Sequence, residues 1–265
     1  MITLIKDAFE SSNHSFISIY KSGARWTDKP KEKTLAMNCD KVCELLTWLI
    51  DNIYVTFGDK VFRQQIGIPM GTDCAPFLAN LFLFSYEFEW IDQQRVSGNH
   101  NVLHHFKACC RYIDDLLLVN NNEFMKKHLP DIYPKELSLV PDDTDGQSGP
   151  FLDLLLVINT GVISTSIFDK RDAFDFPIVS FPTLTGNIPR KSSYGVFIGE
   201  AVRYARACTY YEDFKTRICI LVKKLKKQFF NERLLRRTWS KFCDSHLLLV
   251  QKYGSVVLTL SEDWK

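Results

Sequence analysis

Two adjacent carboxylates, Asp114 and Asp115, are the residues of this sequence whose types and spacing most clearly allow chemistry. They lie between two short apolar runs, 106–112 and 116–119, so the pattern predicts a hairpin with a tight acidic turn. Two negative charges held close together raise each other's pKa unless a cation neutralises them. Hard divalent cations such as Mg²⁺ bind carboxylate oxygens in this way. The pair therefore indicates a metal site, although an Asp-Asp dipeptide alone is also typical of an ordinary turn.

A second segment, residues 67–71, reads Gly-Ile-Pro-Met-Gly and leads into an apolar stretch from Ala75 to about Ile91, where we expect a buried helix. Glycines in such a turn allow backbone N–H groups to approach a phosphate or a base closely. No Gly-Lys-Ser/Thr follows, so the segment is not a P-loop. Taken alone, an ordinary strand-to-helix turn explains it equally well.

Basic residues are concentrated in the C-terminal third of the chain. The whole sequence has 33 Lys and Arg against 31 Asp and Glu, a net charge of +2. Between Arg203 and Lys241, however, twelve basic residues stand against three acidic ones, so this segment carries +9 and the remainder −7. This separation predicts a polyanionic partner, with a solvated helix face as the alternative.

The composition indicates a folded protein inside the cell. Among the 265 residues, 46% are hydrophobic and 24% charged, which is typical of a globular chain. No apolar run approaches the roughly 20 residues that span a bilayer, so we expect no membrane partner. The eight cysteines form no CxxC pair and no signal-peptide pattern is present, so we expect reduced thiols and a location in the nucleus or cytoplasm.

The elements that must position these segments follow from apolar spacing and turn residues. Residues 11–40 are polar and irregular and predict a loop or a weakly ordered segment. Asn38 or Asp40 could cap a helix that follows. Further along we expect two hairpins with turns at 58–60 and 159–161, a short helix at 123–128, a loop at 142–150, and helices from about Tyr194 onward. The sequence thus predicts a mixed α+β body, a boundary near 185–195, and a basic helical region.

Together, the two chemical segments resemble motifs B and C of reverse transcriptases: Gly-Ile-Pro-Met-Gly…Ala-Pro…Leu-Ala-Asn, and about forty residues later Arg-Tyr-Ile-Asp-Asp. Residues 62–67, 151–154 and 169–172 are similar to reverse transcriptases of metazoan retroelements, especially Penelope-like and related non-LTR types. The resemblance covers the chain from about residue 36 onward. It implies an α+β right-hand polymerase palm, an antiparallel sheet plus helices, followed by a helical thumb.

The resemblance also implies domain limits and an activity. Residues 1–40 would be a linker region, 41–188 a partial palm with the primer-grip hairpin, and 189–265 a basic thumb. The activity would be two-metal nucleotidyl transfer from a dNTP onto a DNA primer along an RNA template, with Mg²⁺ or Mn²⁺ as the cofactor. Asp114 and Asp115 would be the catalytic residues and the metal ligands.

Three further sets of residues take their roles from the same resemblance. Those bordering the incoming nucleotide and the template base or the primer end would be Gln64, Gln65, Gly67, Pro69, Met70, Gly71, Tyr112 and Ile113. The primer grip, within residues 151–168, would include Phe151, Leu152 and Asp153. The thumb residues on the duplex phosphates would be Lys223, Lys224, Lys226, Lys227, Arg233, Arg236 and Arg237.

One part of the family pattern has no match in the sequence. The third carboxylate, in motif A, normally lies on an apolar strand before motif B, and none of the upstream aspartates (Asp7, Asp28, Asp40, Asp51, Asp59) has that setting. We therefore expect the fingers and the motif A strand to be missing, with little polymerase activity in this chain. Without the strand that motif A normally supplies, the central sheet would have an unpaired edge, which favours aggregation. The alternatives are a catalytically inert nucleic-acid-binding remnant and a structural remnant without activity.

Overall fold

The structure is a computed structural model that describes residues 1–68, 71–119, 123–141, 146–176 and 178–264, with the side chains of 123–125 excepted. The chain divides into two compact units, Met1–Ser138 and Leu139–Lys265. Both combine helices with small antiparallel sheets, so the predicted α+β class is confirmed. The division lies upstream of the boundary near 188 that the sequence suggested.

The first unit contains three separate antiparallel sheets with the strand orders β2-β1-β3, β4-β5 and β6-β7. Its elements are α1 (Ile2–Ser12), β1 (Phe16–Tyr20), β2 (Gly23–Thr27), β3 (Leu35–Met37), α2 (Cys39–Asp51), β4 (Tyr54–Phe57), β5 (Lys60–Arg63), α3 (Ala75–Val96), α4 (His100–His105), a 3-10 turn (Phe106–Ala108), β6 (Cys109–Tyr112), β7 (Asp115–Leu118) and α5 (Glu123–Ile132).

The expectation of a loop over residues 11–40 is wrong, because this segment forms β1, β2 and β3. The strands are short and half-exposed, so the alternation of apolar and polar residues extends over too few positions to predict a strand. The side chain of Asp28, just after β2, also connects this end of the sheet to the residues just before β1. Asp28 accepts hydrogen bonds from the backbone N–H of Ser15 at 2.9 Å and pairs with His14 at 2.9 Å.

The helix α2 begins where the sequence predicts. The side chain of Asn38 accepts a hydrogen bond from the backbone N–H of Lys41 at 3.1 Å, which satisfies one of the free donors of the first turn. The hairpin formed by β4 and β5 is also confirmed, with Gly58 at φ 63 in its turn.

The helix α3 is confirmed, but its expected burial is wrong. Only Ala75, Leu78 and Trp90 are buried, whereas Phe77 is 77% exposed and Phe84 is 46% exposed. The helix is apolar around its circumference and packs against α4 and α5 on part of its surface. Several of the remaining apolar side chains of α3 are therefore exposed, and others are half-buried.

The second unit is built on one three-stranded antiparallel sheet of order β10-β9-β8 and a set of helices. Its elements are β8 (Ser148–Phe151), β9 (Leu154–Asn159), β10 (Val162–Ile167), a 3-10 turn (Lys170–Ala173), α6 (Arg190–Ser193), α7 (Gly195–Ala207), α8 (Tyr211–Lys227), α9 (Glu232–Ser245), α10 (Leu247–Tyr253), α11 (Val256–Thr259) and a 3-10 turn (Leu260–Asp263).

The predicted hairpin around residues 159–161 and the helical region after Tyr194 are both confirmed. The predicted loop is partly wrong: residues 148–150 already belong to β8, where Pro150 is tolerated because β8 is an edge strand. Residues 142–145 of that loop lie outside the described residues.

The main core of the molecule lies in the second unit. Apolar faces of α7, α8 and α9 meet there around Trp239, with Phe197, Phe214 and Leu225 fully buried. Burying side chains of this size provides most of the free energy that holds helices together. None of the described helices is both long and apolar enough to cross a membrane.

Candidate functional site

The two candidate catalytic carboxylates lie at the tip of the β6–β7 hairpin. Tyr112 pairs with Asp115, so the turn between the strands consists of Ile113 and Asp114 alone. Ile113 has φ 55, a left-handed conformation that is strained for a β-branched residue. Asp114 and Asp115 are both exposed. The predicted hairpin is confirmed, and it places Asp114 and Asp115 as consecutive, exposed residues at its tip.

The charge of this pair is not compensated by a salt bridge from any cation that the structure describes. Within the described residues, neither Asp114 nor Asp115 takes part in a salt bridge or a side-chain hydrogen bond. Mg²⁺ is commonly held by one or two carboxylates, with waters and substrate phosphates completing its coordination. Two adjacent exposed carboxylates fit this mode of binding.

A third carboxylate does not accompany the pair. In the part of the chain that the structure describes, no group of three His, Cys, Asp or Glu side chains could hold a metal ion. None of the strands β1 to β5 contains an acidic residue. The upstream strands therefore supply no counterpart to a motif A aspartate.

The segment between β5 and α3 has the backbone that its glycines predicted. Gly67 has φ 100 and Gly71 has φ 95, conformations that other residues adopt only with strain. The side-chain amide of Gln64 donates to the backbone oxygen of Ile66 at 2.9 Å, and a Cβ on Gly67 would lie 3.1 Å from that amide nitrogen. Gln65 is exposed. Pro69 and Met70 lie outside the described residues.

A partly buried arginine joins the helix after this segment to the acidic hairpin. Arg111 of β6 bonds both carboxylate oxygens of Glu87 and the side-chain oxygen of Asn80, which are residues of α3. Glu87 raises the pKa of Arg111 above its usual value, chiefly through the hydrogen bond between them. Burial and the same carboxylate raise the pKa of Tyr133, whose hydroxyl donates to Glu87. The helix α3 and the acidic β6–β7 hairpin are thereby joined through side chains.

Sequence reasoning missed this junction. Arg111 and Asn80 are both part of the quoted motifs, yet they carried no assigned role, and Glu87 was not singled out. The available signal was an arginine within an apolar strand, because a charged residue in that position needs a partner.

The predicted primer-grip residues lie at the turn between β8 and β9 in the second unit. Phe151 pairs with Leu154, and Leu152 has φ 58, so this turn has the same two-residue form as the turn at Ile113. The carboxylate of Asp153 accepts a hydrogen bond from Arg203 of α7 at 2.8 Å. The turn is thus tied to the helices that follow it.

The predicted phosphate-binding residues on α8 and α9 fall into two groups. Four are exposed and form no salt bridge among the described residues: Lys223, Lys227, Arg233 and Arg237. The other three are engaged inside the unit. Lys224 pairs with Asp172 at 3.2 Å, and Lys226 and Arg236 pair with Glu232 at 2.6 and 2.8 Å. Only the first group is free to bind an external anion without breaking an internal contact.

Comparison with protein-family models, with curated proteins and with solved structures found no match to this chain.

Proposed function

We propose that this chain is the palm-and-thumb part of a retroelement reverse transcriptase, an RNA-directed DNA polymerase that uses Mg²⁺ or Mn²⁺. The observation that carries the proposal is the β6–β7 turn, where Asp114 and Asp115 are consecutive and exposed at the end of an Arg-Tyr-Ile-Asp-Asp sequence and have no cationic partner among the described residues. The glycine-rich segment and its helix α3, joined to this hairpin by Arg111, add support from an independent stretch of chain.

Each set of residues has a physical task in this proposal. Asp114 and Asp115 hold the metal ion, which would activate the primer 3′-hydroxyl and stabilise charge on the phosphates. Gly67 and Gly71 both have a positive φ, and the space beside Gly71 is open, which would allow a close approach of the nucleotide to the backbone. The four free cations of α8 and α9 bind phosphates of the template–primer duplex irrespective of its sequence.

A second candidate function is a catalytically inert nucleic-acid binder. It is favoured by one specific observation: β1 to β5 carry no acidic residue that could complete the metal site. The exposed cations on α8 and α9 would still bind a duplex. We therefore expect this chain to bind an RNA–DNA hybrid and to extend a primer poorly.

The test measures Mn²⁺ affinity by electron paramagnetic resonance titration for the wild type, Asp114→Asn and Asp59→Asn. Asp59 is a matched control because it is an exposed aspartate in another hairpin turn. We expect Asp114→Asn to abolish the site and Asp59→Asn to leave it unchanged, with hybrid binding retained in all three. Equal Mn²⁺ affinity in the three proteins would contradict the metal site. Primer extension that depends on Asp114 would contradict the inert alternative.

A further inference from the structure

The guanidinium group of Arg111 lies at the junction between α3 and the acidic turn. Its Nε and Nη2 atoms contact the two carboxylate oxygens of Glu87 at 2.5 and 3.1 Å. Its Nη1 donates to the side-chain oxygen of Asn80 at 2.8 Å and to the backbone oxygen of Ile113 at 3.0 Å. The Arg111 side chain is only 13% exposed. One largely covered group therefore contacts two turns of α3 and the turn that carries the carboxylates.

The bond to Ile113 acts directly on the backbone at Asp114. The oxygen of Ile113 belongs to the peptide group that also contains the nitrogen of Asp114, and this group is planar. A hydrogen bond that fixes this oxygen therefore also fixes the orientation of the peptide plane that leads into Asp114. Ile113 itself has φ 55, and such a strained residue persists only where its surroundings hold it. Arg111 supplies one of the contacts that hold it.

The charge of Arg111 is satisfied away from the turn. Glu87 binds it with both oxygens, and the hydroxyl of Tyr133 donates to Glu87 at 2.7 Å. Arg111 forms no salt bridge with Asp114 or Asp115. The guanidinium thus serves as a fixed hydrogen-bond donor, while the negative charge of the aspartate pair remains available to a cation.

We propose that Arg111 is a positioning residue that holds the Ile113–Asp114 peptide so that the two carboxylates are presented together, and that Glu87 and Tyr133 in turn hold Arg111. The importance of this order for metal binding rests on the proposed function. The ordering of the turn by Arg111 does not rest on the proposed function, because it can be measured in the chain without metal.

The main test uses the double variant Glu87→Gln/Arg111→Met. Removing both charges avoids leaving one buried without a partner, so the fold should persist, with an unchanged melting temperature. Backbone ¹⁵N relaxation without metal should show the order parameters at residues 113 and 114 falling from about 0.85 to below about 0.6. The dissociation constant for Mn²⁺ should rise by about tenfold, as when the groups that orient metal ligands are removed.

A second variant, Arg111→Lys, keeps a positive charge opposite Glu87 and therefore protects the fold. A single ammonium group cannot reproduce the planar fork that contacts Glu87, Asn80 and Ile113 together. We expect the same changes as in the double variant, but smaller. Arg95→Met is the matched control, because Arg95 is an exposed arginine of α3 whose nearest carboxylate, Asp92, lies 3.9 Å away.

The outcomes separate the two proposals. Unchanged order at residues 113 and 114 in a folded double variant, or in Arg111→Lys if the double variant does not fold, would overturn the positioning role. If that order falls as expected but wild-type Mn²⁺ binding does not depend on Asp114, the positioning role stands and the proposed polymerase function fails. A loss of order in Arg95→Met equal to that in Arg111→Lys would also overturn the specific role of Arg111.

Discussion

At the scale of single residues, the same turn geometry serves two purposes in this chain. Ile113 and Leu152 both have a positive φ, and each is followed by an aspartate in a two-residue hairpin turn. Asp153 uses its carboxylate to bind Arg203, whereas Asp114 has no such partner among the described residues. The geometry of the turn is therefore not specific to a metal site. The absence of a neighbouring cation is what distinguishes Asp114.

Glycine substitutions give a prediction at this scale. At Gly71, with φ 95, alanine should lower the free energy of unfolding of the first unit by about 1 to 2 kcal/mol, because the left-handed conformation is costly with a Cβ. Gly199 lies exposed inside α7 with open space around it, so alanine there should raise the free energy of unfolding of the second unit by about 0.8 kcal/mol.

Urea unfolding followed by fluorescence and circular dichroism measures both changes. The pair is informative because the chemical change is the same and only the backbone conformation differs. A stabilising effect of Gly71→Ala would show that the backbone there is not left-handed.

At the scale of the elements, the basic residues of α8 lie on two different sides of the helix. Lys224 and Arg217 bind Asp172 and tie the segment after β10 to the helix. Lys223 and Lys227 project from the exposed side. Helical spacing separates the two sets, since residues one position apart point in different directions while residues four apart share a side.

This division predicts different effects on hybrid binding. Arg237→Gln should reduce the slope of log affinity against log salt by about 1, because one phosphate contact is lost. Lys224→Gln should leave the slope unchanged, because its ammonium group is already paired with Asp172. Fluorescence anisotropy across a salt series measures both slopes. An equal loss of slope in the two variants would place Lys224 on the duplex as well.

Acid stability provides a further test of the contacts around α8. The Arg171 guanidinium, with a smaller effect from Lys224, lowers the pKa of Asp169 from 3.8 to about 2. A carboxylate with a lowered pKa stabilises the fold above its unfolded value, and this stabilisation is lost as the pH falls from about 4 to about 2. Allowing for solvent screening, Asp169→Asn should remove about 1 kcal/mol of that dependence.

Chemical unfolding of the second unit between pH 2 and 6 measures this change. Asp175→Asn is the control, because Asp175 is exposed and has no ion pair in the described part of the chain. If the two variants lose the same pH dependence, the contact between Asp169 and Arg171 is not its source.

At the scale of the whole molecule, burial is distributed unequally between the two units. All the residues of the main core, among them Phe197, Leu235 and Trp239, belong to the second unit. Among the described residues, the buried apolar residues of the first unit are few: Phe9, Ile53, Ala75, Leu78, Trp90 and Ile132. Since burial provides most of the folding free energy, the first unit has less to hold it together and exposes more apolar surface.

The exposed side of α3 therefore predicts self-association. Phe77→Ser with Phe84→Ser should reduce the average mass measured by sedimentation at high concentration, because both rings are exposed on this apolar helix. Leu248→Ser is the control, since Leu248 is an apolar residue of the second unit that is 83% exposed. A wild-type chain that stays monomeric at high concentration would contradict this prediction.

The sequence by itself determined the features that depend on neighbours a few residues away. Turn residues and short apolar runs placed the hairpins around Ile113 and Gly161, and Asn38 or Asp40 marked the start of α2, where the structure shows Asn38 as the cap. The motifs also singled out the carboxylate pair. Such signals are readable because a turn, a cap or a helical repeat is set by backbone preferences within one short segment.

Only the tertiary structure decided which charged and apolar groups have partners. It pairs Arg111 with Glu87, 24 residues earlier, and Lys224 with Asp172, 52 residues earlier. It also leaves Phe77 exposed on a helix whose composition predicted burial. Burial and ion pairing depend on contacts between segments that are far apart in the sequence, and a local sequence pattern does not predict such contacts. The identity of the candidate ligands was thus a property of the sequence, and their support and free charge were properties of the fold.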